Sequence, residues 1–150
     1  MIFIPEIFMS LGFLVILIIS VFLKKNSHII VGYLSLILIF LTQFFVLKDI
    51  FLFEEIFNSF FVIDSFGSFL KSIILISAGL VIYFYLIVKN EISLQRPEFL
   101  LITLIAIIGM MLMVSSNDLL SLFVSLELQS LALYILVSFS KDDFNSSEAG

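Results

Sequence analysis

The sequence predicts an all-α integral membrane protein with about five transmembrane helices. Composition is the first sign. Hydrophobic residues make up 62% of the chain and charged residues 13%, with a mean hydropathy of +1.29. A soluble domain runs at about 45–50% apolar and about 25% charged, so lipid must solvate much of this surface. The second sign is spacing: the apolar residues gather into five runs, most of them near the ~20 residues that a helix needs to cross a bilayer. The third is punctuation. Most charged residues fall between the runs, and Glu127 is the conspicuous exception.

The first helix is expected over 7–23, with Pro5 just ahead of it, where a missing N–H costs nothing. The first basic residues, Lys24 and Lys25, follow this run instead of preceding it, which marks a retained membrane helix and not a secretory leader. The second helix covers 29–47. Between Lys48 and Lys71, Phe-rich patches alternate with Asp49, Glu54, Glu55 and Asp64. Two readings fit that stretch: an amphipathic segment lying on one membrane face, or a plain loop followed by an early start to the third helix. The third helix is expected over 66–88, built on Ser72–Val88 with Phe66–Leu70 upstream. The fourth covers 99–114, with Pro97 suited to its first turn, and the fifth covers 119–139, with Asp118 as its N-cap. Gly12, Gly32, Gly79 and Gly109 are expected where helices approach closely. Met110, Met111 and Met113 read as packing residues, and the many Phe and Ile residues as lipid-facing bulk.

Several function classes drop out. With no cysteines there is no disulfide, thiolate metal site or Cys nucleophile, and the single His28 cannot assemble a metal cluster by itself. A formal net charge of −5 argues against nucleic acid, which needs a basic footprint. With five spans, Lys24, Lys25, Lys89, Arg96 and Lys141 share a side with the C-terminus, against Lys48 and Lys71 on the other. The positive-inside rule then places the N-terminus outside and the C-terminus inside.

Glu127 lies near the middle of the fifth apolar run. An ionised carboxylate at that depth costs roughly 3 kcal/mol on insertion scales. Such a group is expected to face protein or internal water and to handle a proton or an ion. Helical spacing puts Ser116, Leu120, Phe123, Ser130, Tyr134 and Ser138 on its side of the helix, with Ser121, Ser125 and Gln129 off it. Ser116, Ser130, Tyr134 and Ser138 therefore form a candidate hydrated stripe that passes protons to and from Glu127. The competing structural reading is a carboxylate that hydrogen-bonds a neighbouring helix and pins an assembly.

A resemblance sharpens this. The stretches Arg96-Pro97-Glu98-Phe99-Leu100-Leu101, Gly109-Met110-Met111-Leu112-Met113 and Ser116-Asn117-Asp118-Leu119-Leu120 resemble the subunit N (chain 2) family of respiratory complex I, NADH:ubiquinone oxidoreductase. So does the run Leu126-Glu127-Leu128-Gln129-Ser130-Leu131-Ala132-Leu133-Tyr134. Ile4-Pro5-Glu6-Ile7 is similar to the family's start, and Ser147-Glu148-Ala149-Gly150 to the lead-in to its next helix. The likeness covers the whole chain and is strongest from Arg96 onward. The Glu-Leu-Gln-Ser stretch favours this family over its sister antiporter-like subunits.

The resemblance implies a membrane-arm subunit that takes part in proton translocation coupled to NADH oxidation and quinone reduction. Glu127 would be the family's fifth-helix glutamate, which pairs with a lysine on the seventh helix. Residues 1–95 would be lead-in helices, and 96–150 the start of the first antiporter-like repeat of a subunit of about fourteen helices. On this reading the chain is a fragment, a split-gene product or a truncated form, not competent alone, because the partner lysine is absent. No cofactor is expected to bind here: NADH, FMN, iron–sulfur clusters and quinone belong to other subunits. Expected partners are other membrane-arm subunits, the remaining C-terminal part of the same subunit and the lipid bilayer, in a bacterial plasma membrane or a mitochondrial inner membrane. The alternatives are a subunit of a multisubunit cation/proton antiporter, or a small structural membrane protein in which Glu127 only holds helices together.

Overall fold

The computed structural model describes residues 4–23, 27–49, 54–56, 60–87 and 97–138. In order, the elements are α1 (Ile4–Phe22), α2 (Ser27–Asp49), β1 (Glu54–Ile56), β2 (Phe61–Ile63), α3 (Ser65–Ile87), α4 (Pro97–Ser115) and α5 (Leu119–Val137). All five helices are long and apolar enough to cross a membrane. Lys24, Lys25, Lys89, Arg96 and Lys141, on which the orientation rests, lie outside the described residues, as do the resemblance at Ser147–Gly150 and the end of the fifth predicted span at 139.

The buried positions show why the helices assemble. On α2 they are Val31, Ser35, Leu38, Thr42 and Val46; on α4, Leu100, Leu104, Ile107, Met111 and Ser115. Both sets step by three or four residues, which keeps one stripe turned toward neighbouring helices. Outward faces present large apolar side chains, such as Phe40 on α2 and Phe69, Ile76 and Phe84 on α3. Lipid tails are as apolar as the core, so close van der Waals packing must hold the helices together. The bundle's centre is α4, which contacts α1, α2, α3 and α5.

Glycine sets the closest approach. A Cβ at Gly109 would lie 2.9 Å from the Gln129 backbone nitrogen and 3.1 Å from its Cα, so α4 and α5 touch nearly backbone to backbone. Gly12 and Gly32 are filled by Leu38 and Leu86 respectively. Gly79 differs from the expectation: the nearest atom to a Cβ there is Ile39 Cγ2 at 3.8 Å, an ordinary contact.

The described residues of the connection between α2 and α3 include a short antiparallel hairpin, in which Glu54, Glu55 and Ile56 pair with Ile63, Val62 and Phe61. The early start of α3 is found, at Ser65. Asp64 caps it, accepting from the Gly67 amide on Oδ1 at 2.8 Å and from the Ser68 amide on its carbonyl at 3.0 Å. Lys71 is therefore the seventh residue of a membrane helix, not a loop cation, and it leaves the charge tally used for orientation. The first helix likewise begins earlier than expected, at Ile4, which brings Glu6 inside it.

Candidate functional site

Two ionisable centres stand in the apolar bundle. The first is Glu127, the ninth residue of α5. At 1.5 Å per residue it lies about 12 Å along a helix about 28 Å long, close to the helix's middle. Asp118 fixes where α5 starts. Its carboxylate accepts from the Ser121 amide at 3.0 Å and the Leu120 amide at 3.3 Å, and the Ser121 hydroxyl also donates to it. The Ser121 hydroxyl holds the Asp118 carboxyl below its ordinary value, and the two backbone amides add to the effect. The capping role expected of Asp118 is what the structure shows.

From that start, α5 packs chiefly on α4 through Ser121, Ser125 and Ala132, with Gln129 against Gly109. Glu127 is two residues from both Ser125 and Gln129, about 200° around the helix from each. It is exposed, on the side of α5 turned away from α4. Phe123, Leu131 and Tyr134 are exposed as well, Tyr134 at 54%.

The stripe comes together in part. Ser130 and Tyr134 are on α5 with Glu127, while Ser116 lies in the α4–α5 connection, where its backbone bridges to Phe61. The serine hydroxyls are committed to nearby carbonyls: Ser130 donates to Glu127 O at 3.1 Å, Ser138 to Ile135 O at 3.1 Å and Ser116 to Met113 O at 2.7 Å.

The second centre was not singled out from the sequence. Lys71 Nζ on α3 lies 2.5 Å from Glu6 Oε1 on α1, and the two side chains are 4% and 2% exposed. The hydroxyl of Ser115, the last residue of α4, shares its one proton between the same oxygen at 3.0 Å and Met111 O at 3.2 Å. Three helices thus converge on one carboxylate oxygen at the end of the bundle that also carries the hairpin. The legible signal was a matched one: opposite charges, each embedded in apolar sequence that continues a membrane helix.

Curated proteins show what the chain is similar to. No protein-family model matches the chain. Subunit N of NADH-quinone oxidoreductase from Pelagibacter ubique is 37% identical over 148 residues, covering 97% of this chain and 31% of the relative. Its counterpart from Bartonella bacilliformis is 38% identical over 153 residues, covering 97% and 30%. The one from Rhodobacter capsulatus is 41% identical over 97 residues, covering 65% and 20%. The chain belongs to the subunit N family of NADH-quinone oxidoreductases. It spans about 30% of the length of the curated relatives it matches. Membership agrees with five apolar helices and with a multi-pass integral membrane protein.

Proposed function

We propose that this chain forms part of the membrane arm of an NADH-quinone oxidoreductase, and that Glu127 is a proton-handling carboxylate there. The observation that carries this reading is the position of Glu127: midway along a helix long and apolar enough to cross a membrane, exposed, and turned away from the helix that packs most closely on α5. Leaving it ionised against lipid would cost roughly 3 kcal/mol or more. A further membrane-spanning element must cover that side of α5, and the relatives, about three times as long, have sequence to supply one. A basic group or internal water on the covering element would let Glu127 gain and lose a proton.

On this reading Ser130 and Tyr134 line the path next to Glu127, and Ser138 marks its end on α5. Residues 1–95 act as lead-in helices, and 96–150 open the first antiporter-like repeat. The N-terminus faces outside and the C-terminus inside. NADH oxidation and quinone reduction take place in other subunits, and the partners are the other membrane-arm subunits and the rest of the same subunit. The test is Glu127→Gln in the full-length subunit within the assembled complex, with proton pumping and NADH:quinone turnover measured in closed vesicles. The expected result is normal assembly with pumping strongly reduced. Full pumping at normal assembly would remove Glu127 from the path, and failed assembly would make it a structural residue.

A further inference from the structure

The Glu6–Lys71 pair is a buried ionic centre that the Glu127 reading does not use. The hydrogen bond from Ser115 and the salt bridge from Lys71 both fall on Glu6 Oε1. The other carboxylate oxygen, Oε2, is buried with no hydrogen-bond partner. Three residues before Lys71, the Ser68 hydroxyl is a second buried oxygen without a partner, in a residue 1% exposed. That spacing puts Ser68 on Lys71's side of α3. Beside Glu6 a cleft of about 140 Å³ is lined by Ile7, Ser10, Ile108 and Leu112. Buried polar atoms are nearly always satisfied, and ordered water serves where protein groups do not.

We propose that Glu6, Lys71, Ser68 and Ser115 form a hydrated ion-pair site that binds internal water and exchanges protons, separate from Glu127. The proposal rests on the reading of this chain as part of a proton-translocating membrane arm. Water on Oε2 completes the carboxylate's coordination and links it to the aqueous side, where α1 and α3 begin and α4 ends. In the exchange step a hydronium ion in that water gives one proton to the Glu6 carboxylate: an O–H bond forms on Glu6 and one breaks in the hydronium. The result is a carboxylic acid beside the Lys71 ammonium, and the reverse step returns the proton to water. Ser115 keeps the carboxyl group oriented in both states.

The experiment uses the full-length subunit in the assembled complex. A high-resolution map is expected to show water within hydrogen-bond reach of Glu6 Oε2. Infrared difference spectra during turnover, compared in H2O and D2O, are expected to show a deuterium-sensitive carboxyl band that Glu6→Gln abolishes. Ser68→Ala leaves the ion pair intact, so it should assemble normally and slow pumping severalfold. A dry Oε2, a deuterium-insensitive carboxyl, or unchanged pumping in Ser68→Ala would overturn the proposal. Glu127→Gln, measured in parallel, separates the two readings. Pumping lost there but kept in Ser68→Ala retains Glu127 and removes this site; the opposite pattern does the reverse.

Discussion

Lys71 Nζ lies 2.5 Å from Glu6 Oε1, with neither side chain more than 4% exposed. The two residues are 65 positions apart in sequence, and their contact ties the start of α1 to the second turn of α3.

Breaking that pair one-sidedly is expected to be costly. Lys71→Met leaves the Glu6 carboxylate buried without its cation, a change that typically costs about 3–5 kcal/mol. Replacing both at once, Glu6→Gln with Lys71→Met, removes the stranded charge and should recover most of the loss. Thermal denaturation of the purified complex checks this through a double-mutant cycle. A loss in the double variant equal to the sum of the two single losses would mean that the pair is not coupled.

The α4–α5 contact should reject any side chain at position 109. Gly109→Ala places a Cβ against the Gln129 backbone, which moves only if α5 moves, and overpacking of this kind costs about 1–3 kcal/mol. Gly79→Ala meets nothing closer than 3.8 Å and should be neutral or mildly stabilising, since Gly inside a helix costs about 0.5–1 kcal/mol relative to Ala. Complex yield and melting temperature of the two variants, compared side by side, decide it.

Asp118 should control the first turn of α5. Asp118→Ala removes the acceptor for the Leu120 and Ser121 amides, and those two amides should exchange hydrogen faster than in the unsubstituted protein. The pH dependence follows from the lowered carboxyl, for which the Ser121 hydroxyl is the main cause. A folded value below the unfolded one means that the cap stabilises fully above the ordinary value of 3.8. Its contribution fades as pH falls from there through the lower folded value. Protection of the two amides, followed by mass spectrometry from neutral to acid pH, should track that loss. Protection indifferent to both the substitution and acid would remove Asp118 from the cap.

A bulky apolar replacement distinguishes the environment of Glu127. Glu127→Leu suits lipid and offends a hydrated path, so it should assemble into the complex while abolishing pumping more fully than Glu127→Gln. Equal, undiminished pumping in both variants would place the residue against acyl chains.

The helices were legible because each must satisfy a bilayer: a continuous apolar run of sufficient length leaves few other choices. Asp118 was legible because an N-cap is a local device, readable from the residues that follow it. Two features were not. The hairpin is only three residues per strand, and nothing in Glu54–Ile56 or Phe61–Ile63 sets it apart from a Phe-rich loop. The Glu6–Lys71 pair depends on how α1, α3 and α4 are arranged around one another, which helical periodicity within a single segment does not contain. On α5, helical spacing sets Glu127, Ser130 and Tyr134 on one side, whereas Ser116 precedes the helix, which begins at Leu119.

The Phe60 carbonyl accepts from the Asn117 amide at 2.9 Å, and the Ser121 hydroxyl, 3.1 Å away, shares its one proton between this oxygen and Asp118. One peptide oxygen therefore fastens two connections that are far apart along the chain. The first turn of α5, and with it the helix that carries Glu127, is thereby tied to the segment leading into the hairpin's second strand.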